Sequence, residues 1–288
     1  GSTARFDPAT GNRTNLPRFG QVEGWIWHQG KLYAGVYPTG ALKVWDPATP
    51  TTAPTTLFEL EESHHQNRPM ALVADDERIY VGTTPGYGLF GGALTIHDLA
   101  TGEFEVHRNI VPDQTVSALL KVGDTLLGGS SIDGGTGTGD PVATEARLFT
   151  ADPVTGAKLE EYVPVPGARS INALTRTRDG EIWGLADGTA FRFDLAKGTV
   201  TARVPVHGAG TGALDGELLE HPNGKLYGVS HGQTFVVDPQ DRDARVLHDR
   251  VHRLALHPDG SFYTLMRRPG SDSPDTNRLA RFTPGPRC

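Results

Sequence analysis

The chain has 288 residues, of which 37% are hydrophobic, and it carries a net charge of −7 with both signs present. This composition can supply a buried core, whereas the acidic balance argues against a nucleic-acid surface, and no apolar run is long enough to cross a membrane. The 36 glycines and 21 prolines indicate many tight turns. Long stretches with a 3.6-residue period are absent, which indicates little helix.

The cysteine content and the first residues bear on where the protein works. Cys288 is the single cysteine, so no intrachain disulfide can form, and such cysteine avoidance fits secretion from a bacterium. Gly1-Ser2 resembles the remnant of an expression tag, which leaves room for a removed leader. We therefore expect a secreted, extracellular protein. We also expect one domain over residues 1–288 and a monomer.

Residues 62–104 contain one complete repeating unit. Four short apolar runs are separated by turns within about forty residues, which is typical of one β-propeller blade. The turn between the third and fourth runs recurs along the chain: an Asp caps the turn with its side chain and a Gly accepts a positive φ. The recurrences are at residues 7–11, 46–50, 98–102, 152–156, 194–198 and from 238 onward.

The repeats predict an all-β fold, a single β-propeller of four-stranded antiparallel blades. The six predicted blades span, in chain order, residues 20–61, 67–110, 115–165, 169–206, 212–247 and 250–283. The last blade lacks a fourth strand, so we expect the N-terminal residues to supply it and close the propeller. Residues 4–7 resemble a third strand instead, which leaves a seven-bladed propeller as the alternative.

Blade topology predicts which loops carry function. The loops that enter the first strands and those that join second to third strands lie on one face, and here they are long and varied. This face carries five of the eleven histidines, and we expect the other six to be structural or solvent-facing. The five are His64, His65, His207, His231 and His252.

Residues 63–69 form the densest polar cluster, at the entry to an innermost strand. Arg68 can hold a carboxylate through two hydrogen bonds, Asn67 can donate to the same anion, and His65 can move a proton near neutral pH. The alternative is that Arg68 ties neighbouring blades together.

The glycine-rich residues 84–92 follow on the same blade and the same face. Tyr87 and Phe90 lie there and are suited to stacking on a sugar ring, and Tyr87 could also donate a proton; a packed loop is the alternative. We therefore predict three catalytic residues, His65, Arg68 and Tyr87. The predicted substrate-binding residues are His64, Asn67, Phe90, Tyr37, His231 and His252.

Two metal sites are alternatives to the expectation that no cofactor is bound. Asp133, Asp140 and Glu145 could bind Ca²⁺, although their spacing matches no calcium loop, and an Arg147–Glu145 structural pair competes with that interpretation. A second oxygen-rich site would combine residues near first-strand entries. Its members would be Glu23, Asn172 and Asp215, a pattern that resembles six-bladed lactonases of the gluconolactonase type.

Several stretches also resemble a known group of propellers. They include Tyr80-Val-Gly-Thr-Thr-Pro-Gly-Tyr-Gly, Gly128-Gly-Ser-Ser-Ile and Ile182-Trp-Gly-Leu-Ala-Asp-Gly-Thr. About two-thirds of the chain is similar to propeller domains of large secreted proteins from Gram-positive bacteria. Many of these propellers occur together with carbohydrate-active modules. The similarity extends to propeller-fold polysaccharide lyases, from whose usual seven blades the six predicted here depart. The resemblance implies a carbohydrate-active protein.

Together these features favour a lyase that cleaves a uronic-acid-containing glycan by β-elimination. Arg68 would neutralise the sugar carboxylate, His65 would remove the adjacent proton and Tyr87 would act as the acid. A non-catalytic glycan- or protein-binding propeller is the alternative, since the fold alone does not distinguish catalysis from binding. A metal-dependent lactonase that uses Glu23, Asn172 and Asp215 is the third candidate. Whether the chain is an enzyme stays open at this point.

Overall fold

The computed structural model describes residues 3–208, 216–267 and 277–285. Strands dominate, and the helix α1 (Glu61–His64) is a single turn. Within the described part of the chain, no helix is long and apolar enough to span a bilayer.

Fourteen strands of the described part of the chain come before residue 163. They are β1 (Thr3–Phe6), β2 (Arg13–Leu16), β3 (Gln21–His28), β4 (Lys31–Tyr37), β5 (Ala41–Trp45), β6 (Thr55–Phe58), β7 (Gln66–Ala74), β8 (Arg78–Pro85), β9 (Ala93–Asp98), β10 (Phe104–Arg108), β11 (Thr115–Val122), β12 (Thr125–Ser131), β13 (Leu148–Ala151) and β14 (Lys158–Tyr162).

Eleven further strands follow in the described residues. They are β15 (Ile171–Arg176), β16 (Ile182–Ala186), β17 (Thr189–Asp194), β18 (Thr199–Pro205), β19 (Gly216–Glu220), β20 (Leu226–Ser230), β21 (Gln233–Asp238), β22 (Asp243–Asp249), β23 (Val251–Leu256), β24 (Phe262–Arg267) and β25 (Asn277–Phe282).

The strands form six antiparallel blades, which confirms the predicted all-β propeller and its blade number. The first five sheets each contain four strands in sequence order, from β3–β6 to β19–β22, and the sixth contains β23–β25 in the described residues. The second blade, predicted at residues 67–110, is formed by Gln66–Ala74 through Phe104–Arg108. By packing, the chain divides into two compact units, residues 1–143 with 149–160 and residues 144–148 with 161–288.

The recurring turn between third and fourth strands has the predicted chemistry. Asp98 Oδ1 accepts hydrogen bonds from the backbone N–H groups of Ala100 and Thr101 at 2.9 and 2.8 Å, and Gly102 has a φ of +76°. Hydrogen bonds from the Thr101 backbone and hydroxyl lower the pKa of Asp98. Because the Asp side chain replaces missing backbone partners, these turns need no packing from outside to close.

Each unit has its own buried core. Tyr80, Leu94 and Phe149 are fully buried in the first unit, where blades two and three meet. In the second unit, Trp183 and Phe235 are fully buried between blades four and five. Burial of an aromatic side chain of this size stabilises the fold by about 1.5–3 kcal/mol, so the inter-blade faces fix the strands that carry the loops.

The N-terminal segment differs from the prediction. Strand β1 pairs with β2 in a separate two-stranded sheet, so the sixth sheet as described contains no N-terminal strand. The connecting turn explains why, since Asp7 accepts hydrogen bonds from the Ala9 backbone and the Thr10 hydroxyl and closes a local hairpin. The hairpin lies beside blade one, where it helps to line a groove with the exposed Trp25 and Trp27.

Most innermost strands carry a bulge near their first residues, whereas β19 pairs with β20 without a register shift. The pairing register shifts between Val22 and Gly24, between Gln66 and Arg68, between Ile171 and Ala173, and between His252 and Leu254. A bulge inserts one residue and redirects side chains at that point. The residues inserted at these four shifts are Glu23, Asn67, Asn172 and Arg253.

Candidate functional site

In the first unit, the segment before β7 is held by a compact set of backbone hydrogen bonds. His65 has a φ of +54° and ends α1, with its N–H bonded to the carbonyl of Glu61. The carbonyl of His65 accepts a hydrogen bond from the N–H of Gly86 at 2.7 Å. This bond joins the predicted polar cluster to the glycine-rich loop. The side chain of His65 is exposed and that of His64 is half-buried.

Arg68 lies at the centre of the first unit's candidate site. Its Nη1 donates to Glu23 Oε1 at 2.8 Å, and its Cζ lies 4.1 Å from the centre of the Tyr37 ring. The side chains of Arg68 and Glu23 are 26% and 17% exposed. Glu23 also accepts from Gln21 Nε2 at 2.8 Å. The guanidinium is therefore oriented by an ion pair on one side and an aromatic face on another.

Tyr87 extends this arrangement outward. Its ring centre lies 6.5 Å from that of Tyr37, at an interplanar angle of 69°, and its side chain is 55% exposed. The structure thus brings together three predicted residues, Arg68, Tyr87 and Tyr37. We call them, with Glu23, the aromatic cluster.

The two residues before Arg68 have different environments. Gln66 is fully buried and holds the loop, since its Oε1 accepts from the Thr83 hydroxyl at 2.7 Å and its Nε2 donates to the Gly91 carbonyl at 3.2 Å. Asn67 is 2% exposed, and its Oδ1 has no hydrogen-bond partner among the described residues. At this burial the Asn67 side chain does not reach the surface, and its role in binding stays a prediction.

Phe90 is positioned by the loop that follows β12. The loop around residues 86–90 packs against residues 134–138, with Gly135 N–H bonded to the Leu89 carbonyl at 2.9 Å. A Cβ at Gly134 would come within 2.8 Å of Phe90 Cδ1. Phe90 is half-buried there, an environment in which it supports the loop that carries Tyr87.

Three members of the two metal alternatives, Glu23, Asn172 and Glu145, have other hydrogen-bond partners. Glu23 binds Arg68, and Asn172 Oδ1 accepts from the Asp187 N–H at 3.2 Å. Glu145 accepts from the Gly167 N–H at 3.0 Å and lies 3.5 Å from Arg147 Nη1. Asp215 lies outside the described residues. Across the described ranges, no group of three or more His, Cys, Asp or Glu side chains is arranged to hold a metal ion.

In the second unit, two hairpin turns project side chains from equivalent positions. Asp187-Gly188 joins β16 to β17 and His231-Gly232 joins β20 to β21, with both residues of each pair at positive φ. This is the backbone of a two-residue type I′ turn, which matches the twist of the strands. Because the blades are adjacent and the turns equivalent, Asp187 and His231 approach each other.

These turns form a small cluster with one more histidine. His231 Nε2 lies 3.8 Å from Asp187 Oδ1, and its ring centre is 4.8 Å from that of His207. The Ser230 hydroxyl lies 3.0 Å from His231 Nδ1. Burial and the neighbouring His207 lower the pKa of His231, against an opposing effect of Asp187. We call Asp187, His207 and His231 the histidine cluster.

Next to the histidine cluster, a cleft of about 160 Å³ opens between blades five and six. Glu217 and Arg253 face it, with Arg253 Nη1 3.7 Å from Glu217 Oε1, and the Leu254 N–H donates to Glu217 Oε2. The predicted residues His231 and His252 both line this second-unit cleft.

Three residues of the second unit were missed by the sequence analysis. Asp187 had a usable signal, because Asp-Gly between two short apolar runs predicts a hairpin turn on the same face as His231-Gly232. Glu217 and Arg253 had none, because Glu217 is an ordinary strand residue in sequence and a bulge displaces Arg253 from the alternation of its strand.

Comparison with known proteins shows the fold alone. No family model matches the chain, and no curated protein matches its sequence. Many solved structures match; one is the extracellular domain of a protein described as a one component system, BT4673, from B. thetaiotaomicron, with a TM-score of 0.62 and 16% sequence identity. The match covers 95% of this chain and 35% of that one, so the chain spans about a third of its neighbour's length.

Proposed function

We propose that the chain is an extracellular glycan-recognition propeller that binds a sugar at the aromatic cluster. The observation that carries the proposal is the continuous row in which Glu23, Arg68, Tyr37 and Tyr87 touch in turn, ending on the 55% exposed ring of Tyr87. An exposed aromatic ring with a hydroxyl gives a sugar both an apolar face and a hydrogen-bond partner. One solved structure with this fold is an extracellular domain, which supports an extracellular location for this chain.

The state of Arg68 favours recognition over elimination. A lyase needs positive charge directed at the carboxylate beside the reacting carbon, where negative charge develops. Arg68 is already hydrogen-bonded to Glu23 at 2.8 Å, so a substrate carboxylate would have to compete with Glu23 for the guanidinium. The guanidinium still carries N–H donors beyond the one that Glu23 accepts, which suits it to hydrogen bonds with neutral or mildly acidic sugars.

β-Elimination on a uronate glycan is the second candidate. The specific observation in its favour is that His65 and Tyr87, both exposed, lie on segments joined by the bond from Gly86 to His65. In this mechanism Arg68 binds the carboxylate, His65 removes the proton and Tyr87 protonates the leaving oxygen.

One experiment separates the two functions. A glycan array and an assay for unsaturated uronate would be applied to the wild type and to Tyr87→Ala and Tyr87→Phe, with Leu159→Ala as an exposed control on β14. Recognition predicts that Tyr87→Ala weakens binding about tenfold and Tyr87→Phe much less, with no product in any variant. Elimination predicts product from the wild type and loss of turnover in Tyr87→Phe despite retained binding. Absence of any glycan ligand would reject both.

A further inference from the structure

The second-unit cleft has the features of a binding site that does not depend on the aromatic cluster. Its floor is formed by the buried Val229 and Val251, and its walls by Glu217, His231, His252 and Arg253. A volume of about 160 Å³ has room for about five water molecules. The cleft is therefore sized for a small molecule or for one end of a larger one.

A bulge explains why two neighbouring residues line the same cleft. Consecutive side chains of a regular strand point to opposite faces, yet His252 and Arg253 both border this space. The register of β23 against β24 shifts between His252 and Leu254, which inserts Arg253. Two side chains that can carry positive charge are thereby directed to one place.

The backbone at this point is strained in a way that glycine would relieve. Arg253 has a φ of +60°, a region that residues with a Cβ other than Asn, Asp and His rarely occupy. Arg250 has a similar φ outside the cleft, so the conformation does not mark a site by itself, and it bears on the proposal because it accompanies the bulge that directs Arg253 to the cleft. Arg253 is also 45% exposed at its side chain, so its position is not explained by core packing.

We propose that the second-unit cleft binds a small carboxylate, with Arg253 and His252 as the cationic and hydrogen-bonding side. Glu217 would hold Arg253 in place, since its Oε2 is bound by the Leu254 N–H and its Oε1 lies 3.7 Å from Arg253 Nη1. That separation is an ion pair rather than a hydrogen bond. The carboxylate could belong to a free organic acid or to the uronate end of a glycan.

The test is calorimetric titration of the full chain at constant ionic strength with sodium acetate, sodium glucuronate and, as a neutral match, glucose. Arg253→Gly is the central variant, because glycine tolerates the local φ and the fold should be retained or stabilised. Arg250→Gly is the matched control: the same residue type, with a φ of +62°, at a position that does not line the cleft.

We expect glucuronate to bind the wild type and Arg250→Gly equally and Arg253→Gly at least tenfold more weakly, whereas any glucose binding, which would belong to the aromatic cluster, should be the same in all three proteins. Binding of acetate as well would identify the carboxylate alone as sufficient, whereas binding of glucuronate only would identify the sugar acid. The inference is overturned if neither acid binds, if Arg253→Gly weakens glucose binding as much as glucuronate binding, or if Arg253→Gly binds both acids like the wild type. Loss in Tyr87→Ala but not in Arg253→Gly would support the aromatic cluster and reject this cleft.

Discussion

The two units consist of the same type of blade, but their functional loops are held in different ways. In the first unit, the loop that carries Tyr87 packs backbone to backbone against residues 134–138. In the second unit, Asp187 and His231 lie on two-residue turns whose length is set by the strands they join, and the carbonyls of Gly188 and Gly232 accept hydrogen bonds from the chain that follows each blade. A propeller blade can therefore acquire a site either by lengthening a loop or by changing one side chain on a short turn.

The chemistry differs along with the construction. The aromatic cluster has its cation neutralised by Glu23 and presents an exposed ring, whereas the second unit gathers histidines, carboxylates and Arg253 around a small cleft. The first arrangement suits the broad face of a sugar and the second suits a small charged group. The variants below test whether the two clusters are independent.

The largest effect is expected from Gly135→Ala in the first unit. An added Cβ would lie 2.0 Å from the Gly86 carbonyl oxygen, so the two loops must separate, at a cost of about 3 kcal/mol. Urea unfolding should show this loss, and binding at Tyr87 should fall while binding at the second-unit cleft persists. Gly139→Ala is the control, since a Cβ there meets no atom within 4 Å. Equal stability of the two variants would show that the loops do not depend on this contact.

Removal of Arg68 is expected to have the next largest effect. Arg68→Ala deletes the ion pair and the contact with Tyr37, and leaves the 17% exposed Glu23 without that partner, which should cost about 2 kcal/mol. Arg68→Lys should recover part of this. A double-mutant cycle with Glu23→Gln should give a coupling of about 1 kcal/mol; strictly additive losses would mean that the pair is not formed in solution.

A smaller effect is expected at the turns of the second unit. Gly232→Ala places a Cβ in open space at a φ of +72°, so only backbone strain of about 1 kcal/mol is expected. Gly188→Ala adds steric conflict, since its Cβ would lie 2.6 Å from His207 Nδ1, and it should be the more destabilising of the two. Thermal unfolding of both variants checks the order. If Gly232→Ala were the more destabilising variant, His207 would not pack against Gly188 in solution.

The smallest effect is expected from pH, and it should appear in both units. Burial lowers the pKa of His97 in the first unit, and burial with His207 lowers that of His231 in the second. Each unfolded histidine, with a pKa of about 6.5, then binds a proton more readily than the folded one. Stability should therefore fall as pH drops below about 6.5 and level off below the folded pKa.

Unfolding measured between pH 8 and pH 5 checks this. The fall should be shallower in His231→Gln and in His97→Gln than in the wild type. An unchanged slope in His231→Gln would mean that the histidine cluster is open to water in solution.

The blade pattern was predictable because it is encoded locally. Each turn such as Asp152 to Gly156 closes through hydrogen bonds within five residues, and each strand is predicted by its apolar run. The same local logic explains the one clear departure, since the turn that begins at Asp7 closes a hairpin of its own. A pattern match to a blade cannot show that a segment already has a partner next to it in sequence.

The sites were only partly predictable because their contacts are long-range. Arg68, Tyr37 and Tyr87 were identified by residue type and loop position, but the partner of Arg68 lies 45 residues away, and only blade packing chooses it. Bulges add a second obstacle, since they change which side chain faces inward without any mark in the alternation of apolar residues. Arg253 and Glu217 escaped notice for these reasons.

The type I′ turns at Asp187-Gly188 and His231-Gly232 make the second unit a natural place for protein engineering. Their length is fixed by the strands they join, and the left-handed backbone at the first position accepts Asn, Asp or His. Exchanging His231 would alter the acidity and donor pattern beside the second-unit cleft while the turn type stays as it is. Asp187 is buried and its Oδ2 accepts a hydrogen bond from the Arg169 N–H at 2.9 Å, so a library centred on codon 231 would sample new ligand chemistries without searching loop conformations.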